Sequence, residues 1–218
     1  MFYFDDFNGK KILRSDCLNE INAFFTTRGI KPADLAVGID SGRLIHPEQT
    51  HSDHVEIVDS RSEYPDTDAL IIPKSGDTVY LRFADCTPLI FYDTKQKIAA
   101  IAHAGWRGTA QSIGVKTIVE MGSHPADITA LIGPAISICC YEVSEEVRDK
   151  LLSTVKNSEG LYLNRNVDLK KINARQLEEF GVKQIDICPY CTSCNNDLFY
   201  SYRKENGTTE RHMAVVAL

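Results

Sequence analysis

The stretch FADCTPLIFYDTKQKIAAIAHAGWRG, residues 83–108, decides the fold, because two apolar strand-like runs, PLIFY (88–92) and KIAAIA (97–102), are parted only by Asp93-Thr94-Lys95-Gln96. A polar gap that short predicts a β-hairpin. With the turn centred between Thr94 and Lys95, Cys86 and His103 fall opposite each other, and directly opposed residues of an antiparallel pair have Cβ atoms about 4.5–5.5 Å apart. Thr-Lys lacks the Asn-Gly or Gly signature of a two-residue turn, so a longer loop would move the register, and a slip of one residue would turn one of the two side chains away. A third donor type, His51, stands thirty-five residues before Cys86. Three such ligands hold a metal and leave it one open coordination position, which is how catalytic zinc is usually bound.

Outward from the hairpin, the chain after Pro47 reads as strands at 55–59 (VEIVD), 68–72 (DALII) and 78–84 (TVYLRFA). Helical patterns follow at 109–121, at 144–156 behind the cap Ser144 and at 168–180 behind the cap Asp168, with short strands at 128–132, 184–188 and 212–217. Near the start, Asp16 is placed to cap a helix over 17–27 that Gly29 would stop. Strand alternation is only partial, as in sheets buried on both faces. Neither a repeat nor a low-complexity linker interrupts the chain. The expectation is an α+β single domain spanning 1–218, with a large mixed β-sheet core flanked by helices.

At 218 residues and 43% hydrophobic content the chain can bury a substantial core, yet no apolar run approaches the roughly eighteen residues of a membrane span. MFYFDDFNGKK has no basic region followed by an apolar one, so a cytoplasmic protein is expected. Lys and Arg number 24 against 30 Asp and Glu, a net charge of −6, and no basic block is present to track nucleic acid. Seven cysteines, two of them adjacent at Cys139 and Cys140, are expected to be reduced, metal-bound or catalytic rather than cross-linked.

The blocks QTHSDHV (49–55), FADCTPLIFYD (83–93), AHAGWRGT (102–109), IGPAISICCYEV (132–143) and CT (191–192) followed by SYRKENGTTER (201–211) occur in that order. In this they resemble the laccase-domain or YfiH-like family, described both as multicopper polyphenol oxidase and as zinc-dependent purine nucleoside phosphorylase with adenosine deaminase activity. The resemblance runs from about Gln49 to the C-terminus. It implies that His51, Cys86 and His103, at the matched motif positions, are the metal ligands. FFTTRG (24–29) looks like the family's Ser/Thr-Thr-Arg block, and the part over 1–48 is shortened relative to the family. The resemblance implies zinc, with copper as the alternative, and purine nucleosides with phosphate as substrates.

Each motif has a bland reading beside the functional one. A strand histidine is usually a satisfied polar group, but neither packing nor solubility requires a His and a Cys flanking one hairpin. His46, His54, His124 and His212 read as surface or supporting groups, with His54 the nearest to His51. Gly105 and Gly108 either let the backbone approach an anion, with Arg107 facing it, or are turn glycines beside a core Trp106. Arg107 and Arg203 are the candidates for holding phosphate. CPYCTSC (188–194) has two overlapping Cys-x-x-C spacings, but three cysteines make a structural zinc site only if Cys139 or Cys140 approaches, so packing is the expected role.

A multicopper site needs many imidazoles, and this chain has six histidines and no His-x-His pair. A His-Cys-His site suits zinc, while a single copper ion also binds such donors. The expected ligands do not sit in the His-x-Glu and Pro-Cys-x-x-Cys pattern of common zinc deaminases, since His103 is followed by Ala104-Gly105 and Tyr190 parts Pro189 from Cys191, so any deamination uses a different arrangement. The expected activity is zinc-dependent phosphorolysis of adenosine, inosine or methylthioadenosine, with adenosine deamination beside it. Three other readings stay open: a copper polyphenol oxidase, a metal-free cysteine hydrolase using Cys86 and His103, and a non-enzymatic metal-binding protein.

Overall fold

The structure, a computed structural model, describes residues 1–39 and 42–218. The chain opens with β1 (Phe2–Phe7), β2 (Lys10–Ser15), β3 (Asn22–Thr26), α1 (Pro32–Gly38), β4 (Arg43–Ile45), β5 (Val55–Ile57), β6 (Ala69–Ile72), β7 (Asp77–Phe83), β8 (Thr87–Asp93) and β9 (Ile98–Ala104). It continues through α2 (Trp106–Ala110), α3 (Ile113–Glu120), β10 (Ile128–Ile132), α4 (Glu145–Leu152), β11 (Tyr162–Leu163), β12 (Asn166–Val167), α5 (Leu169–Phe180), β13 (Gln184–Ile187) and β14 (His212–Ala217). The expected α+β single domain stands, with most of its β structure divided between two mixed six-stranded sheets ordered β1-β2-β3-β14-β7-β4 and β13-β10-β8-β9-β6-β5, while β11 and β12 form a separate antiparallel pair.

Burial makes four layers. Leu13, Phe25, Val79, Leu81 and Val216 of the first sheet pack against Leu70, Ile72, Ile90, Ile101 and Leu131 of the second, filling the space between the sheets. The outer face of the second sheet, through Leu89, Phe91, Ala100 and Ala130, is covered by Ile113 and Ile118 of α3 and Leu177 of α5. Leu35 of α1 covers Phe24, Tyr80 and Val215 on the outer face of the first. Both sheets are thus buried on both faces where it matters, which is why period-two alternation is weak in β8 and β9. No helix among the described residues is long and apolar enough to cross a membrane.

The hairpin forms with a different register. Pro88 faces His103 and Thr87 faces Ala104, two positions from the expected pairing of Cys86 with His103. The connection is the four-residue loop Thr94–Lys97, in which the Asp93 carboxylate accepts the amides of Lys95 and Gln96 at 2.9 and 2.8 Å, and Lys97 takes a positive φ of 58°. A shift of two preserves the face of every side chain.

Two other expectations are corrected. Residues 22–26 are β3 rather than part of a helix, because Phe24 and Phe25 are needed on opposite faces of the first sheet. The 109–121 helix is two, α2 and α3, broken where Ser112 takes a left-handed φ of 56°. An N-terminal hairpin of β1 and β2 precedes β3, turning on Asn8-Gly9 with φ of 53° and 77°, the strongest short hairpin signal. The caps Ser144 and Asp168 hold as expected, each accepting a backbone amide three residues on.

The sheets meet closely at Gly133, where a Cβ would lie 2.3 Å from the Phe25 ring. Gly133→Ala should lower stability by about 1–3 kcal/mol through overpacking, read as a reduced denaturation midpoint with an unchanged slope. Arg28, beyond β3, donates to both Glu205 oxygens at 2.9 and 3.1 Å, and that bond chiefly holds the Glu205 carboxyl down at about 2. Stability from this depressed carboxyl is complete above its ordinary value of 4.5 and is lost as pH falls toward about 2. Between those values, wild type should lose more stability than Glu205→Gln in pH-resolved thermal unfolding.

Candidate metal centre and its cavity

His103 ends the inward-facing row of β9 after Ala99 and Ile101, its ring 5.2 Å from Phe83 and 3% exposed. Cys86 lies in the bend between β7 and β8, and His51 in the loop before β5. One donor atom from each of the three lies within 4.8 Å of the others. The two-residue change in hairpin register leaves this convergence intact, because Cys86 still reaches the face that His103 occupies.

The Asp68 carboxylate, fully buried just before β6, organises the group. It accepts His103 Nδ1 at 2.6 Å, and the amides of Thr50, His51 and Ser52 at 3.1, 3.2 and 2.7 Å, together with the Ser52 hydroxyl at 2.8 Å. The carboxylate can only accept, so Nδ1 carries the imidazole proton and Nε2 is left as the donor atom. The same bonds hold His51 at a positive φ of 64°, a conformation its side chain does not favour. Asp85, at φ 83°, sets the other side. Its two oxygens accept the Thr192 hydroxyl at 2.6 Å and the Arg203 amide at 2.7 Å.

Gly105 shows how closely the backbone approaches, since a Cβ there would meet Cys86 Sγ at 3.1 Å and His51 Cδ2 at 3.2 Å. Its role is to leave room beside the three donors, and α2, for which it is the cap, is only five residues long. Burial opposes ionisation of the Cys86 thiol, but His103 and His51 outweigh it and bring it down to about 6. Burial likewise opposes the His103 imidazolium, which the Cys86 thiolate and Asp68 raise to about 9. Asp68 resists burial through its bonds to His103 and Ser52 and lies at about 2. This donor set fits a divalent metal: one thiolate, two imidazoles and a carboxylate fixing one ring. With His51 exposed and His103 buried, the group is open on one side.

On that open side is a cavity of about 780 Å³. Arg107 and Arg203, the expected anion holders, both line it, and so do Arg82 and Arg211, which sequence reading did not single out. Arg107 stacks 4.5 Å from the Trp106 ring and Arg203 lies 5.4 Å from Tyr141 while donating to the Glu142 carbonyl. Trp106 and Tyr141 line the cavity too, so Trp106 is not simply a core residue. Arg28 of FFTTRG instead faces Glu205 and the Tyr200 ring, away from these donors.

His54 stays out of the group, bonding the Asp66 carbonyl at 2.8 Å. His124 caps a short turn, and His212 is buried between Phe83 and Phe199. In CPYCTSC Cys188 has the packing role expected of the motif, fully buried in the core between the sheets, and Cys191 is buried as well while Cys194 is exposed. Cys191 and Cys194 meet Cys139 and Cys140 instead, because the turn after Ala135 folds back on them.

Residues 30–218 match the profile of the multi-copper polyphenol oxidoreductase laccase family. The chain belongs to that family, as its motifs implied. It is 34% identical over 196 residues to purine nucleoside phosphorylase YlmD of Bacillus subtilis, covering 80% of this chain and 70% of the relative. Purine nucleoside phosphorylase YlmD of Geobacillus stearothermophilus is 37% identical over 173 residues, 72% of this chain and 62% of that protein. Among solved structures, the hypothetical protein YfiH of Bacillus licheniformis superposes with a TM-score of 0.88 at 29% identity, over 99% of this chain and 98% of that one. YlmD from Geobacillus stearothermophilus gives 0.85 at 28%, over 98% of each. These relatives support an enzyme.

Removing the Asp68 charge tests its positioning role. Asp68→Asn should weaken divalent-metal binding about 10–100-fold in competition with a chromophoric chelator, while His54→Ala leaves it unchanged. Equal affinity in Asp68→Asn and wild type would show that the carboxylate holds the loop alone.

Proposed function

We propose that the chain is a zinc-dependent purine nucleoside phosphorylase, with His51, Cys86 and His103 as ligands. The observation that carries the reading is the cavity itself, which joins that donor group to four arginines and to the aromatic side chains Trp106, Tyr141 and Tyr202 in one concave site. Relatives named purine nucleoside phosphorylase support it. When bound, the metal supplies a Lewis acid that polarises an oxygen.

The chain's own residues account for the rest. Arg82, Arg107, Arg203 and Arg211 supply the positive charge that draws phosphate into the cavity and orients it. Trp106 and Tyr141 offer flat apolar surface to a purine. A phosphate oxygen so held attacks C1′ as the glycosidic bond breaks, giving ribose 1-phosphate, and the base leaves with the bonding pair and takes a proton. Adenosine, inosine and methylthioadenosine all present this bond. Deamination of adenosine at C6 would require water and would not consume phosphate.

Zinc-loaded protein incubated with adenosine and phosphate should release adenine in proportion to phosphate, with inosine as a phosphate-independent second product, both resolved by chromatography. Cys86→Ala and His103→Ala should each lose metal and at least about 100-fold in rate. No product at full zinc occupancy would sink the reading.

One observation favours a second reading. The Cys86 thiol and the His103 imidazole lie within 4.8 Å of each other, and without metal they are the nucleophile and base types that serve acyl transfer. Turnover of an ester that survives exhaustive chelation would select this cysteine hydrolase. Turnover of a catechol by copper-loaded protein alone would select the oxidase that the family's description names.

A further inference from the structure

Four cysteines outside the cavity come together from two segments distant in sequence. Cys139 and Cys140 sit in a turn closed by the Cys140 and Tyr141 amides on the Ser137 carbonyl, at 2.9 and 3.0 Å. Cys191 and Cys194 begin a turn in which the Asn195 amide reaches the Cys191 carbonyl at 2.9 Å. The segments are joined by a parallel bridge between Ala135 and Cys191 and by the Thr192 amide on the Ala135 carbonyl at 3.1 Å. All four Sγ atoms lie within 4.8 Å of one another.

We propose that Cys139, Cys140, Cys191 and Cys194 form a second metal site, a structural tetrathiolate centre for zinc, separate from the His51, Cys86 and His103 group. Zinc–sulfur bonds of about 2.3 Å in a tetrahedron place the sulfurs about 3.8 Å apart. The closest pairs, Cys194 with Cys139 and with Cys140, are at 3.5 Å, so only small adjustments separate the cluster from that shape. Four donors close the coordination sphere and leave no open position, the mark of a structural rather than a catalytic site.

Two features of the surroundings point to negative charge on sulfur. The Ser137 amide donates to Cys191 Sγ at 3.4 Å. Lys170 is only 4% exposed, and its ammonium donates to the carbonyls of Cys188 and Tyr190 at 2.7 and 3.0 Å, on the strand of chain that leads into Cys191. Burial disfavours the charged form of Lys170, and negative charge at Cys188, Asp168, Cys191 and Cys139 opposes that. Zinc with four thiolates carries two net negative charges and would add to that opposition.

Packing does not explain the cluster, because Cys139 and Cys194 are exposed. A disulfide explains it less well, since Cys194 is equally near Cys139 and Cys140 and one bridge would leave two of the four thiols behind. On binding, each sulfur gives its proton to solvent and takes the metal in its place.

The centre has a structural consequence for the cavity. Tyr141 follows Cys140 directly, and Thr192, between Cys191 and Cys194, bonds Asp85 beside Cys86. Metal at the four cysteines therefore pins the cavity wall to the segment that carries Cys86.

Full-length protein, reduced and loaded with zinc, should hold about two equivalents per chain by elemental analysis. Cys191→Ser with Cys194→Ser should hold about one and unfold at lower temperature, whereas Cys188→Ala keeps both. Should the double variant not fold, the wild type decides by differential alkylation read by mass spectrometry. Zinc should protect Cys139, Cys140, Cys191 and Cys194 along with Cys86. Equal labelling of the four with and without zinc, or a Cys194 disulfide to Cys139 or Cys140 in zinc-replete protein, would overturn the proposal. Neither readout depends on nucleoside turnover.

Discussion

The Asp68 carboxylate is the interaction on which the site depends. A carboxylate with no exposed surface is costly unless its lone pairs are satisfied, and here three successive amides, a hydroxyl and an imidazole do so. The cost of burying the charge is thereby converted into geometry. The loop at 50–52 can satisfy Asp68 only with its amides turned inward, and that turn puts His51 at its positive φ with the ring toward Cys86. The Asp68 backbone carbonyl also takes the His103 amide at 2.7 Å, so the ring and the strand that bear it are anchored by one residue.

Asp85 repeats this device on the opposite side. Its carboxylate joins the cysteine-bearing bend to the Thr192 turn and to the backbone of Arg203, and its carbonyl takes the Ile136 amide at 3.0 Å. Three segments, at Ile136, Thr192 and Arg203, all far along the chain from Asp85, are thus bound to the bend that carries Cys86. Each is an irregular connection between sheet strands. The two-sheet sandwich provides rigidity behind them, and the two aspartates transfer it to loops that could not hold a shape alone.

Much of this was legible in the sequence, and what was missed has a physical pattern. The strands 128–132 and 212–217 were read to the residue, and the capped helices α4 and α5 at their N-termini, because local signals there agree with burial. At 17–27, Ile21, Phe24 and Phe25 match a helical face as well as a strand buried on two sides, and only the neighbours β2 and β14 decide between them. The hairpin register escaped because Asp93 caps a four-residue loop, which composition does not distinguish from a shorter one. The three donor residues were legible from motif and chemistry. Asp68, Arg82, Arg211 and Tyr141 were not, since an aspartate before a strand or an arginine on it has no spacing signature until the fold says what it faces.

The two sulfur-bearing clusters show how position in the fold sets what a donor group can do. Around Cys86 the donors are of mixed type, one imidazole is locked by a carboxylate, and the remaining side faces a cavity lined by cationic side chains. Around Cys191 the donors are all sulfur, come from two turns stitched by backbone bonds, and close on themselves. A mixed set with an exposed member leaves an exchangeable position for an oxygen ligand, and a closed thiolate set holds chain segments together. The turn that carries Cys139 and Cys140 leads straight into Tyr141, and the turn between Cys191 and Cys194 reaches Asp85. The closed cluster thereby governs the shape of the cavity in front of the open one, without contributing a group to it.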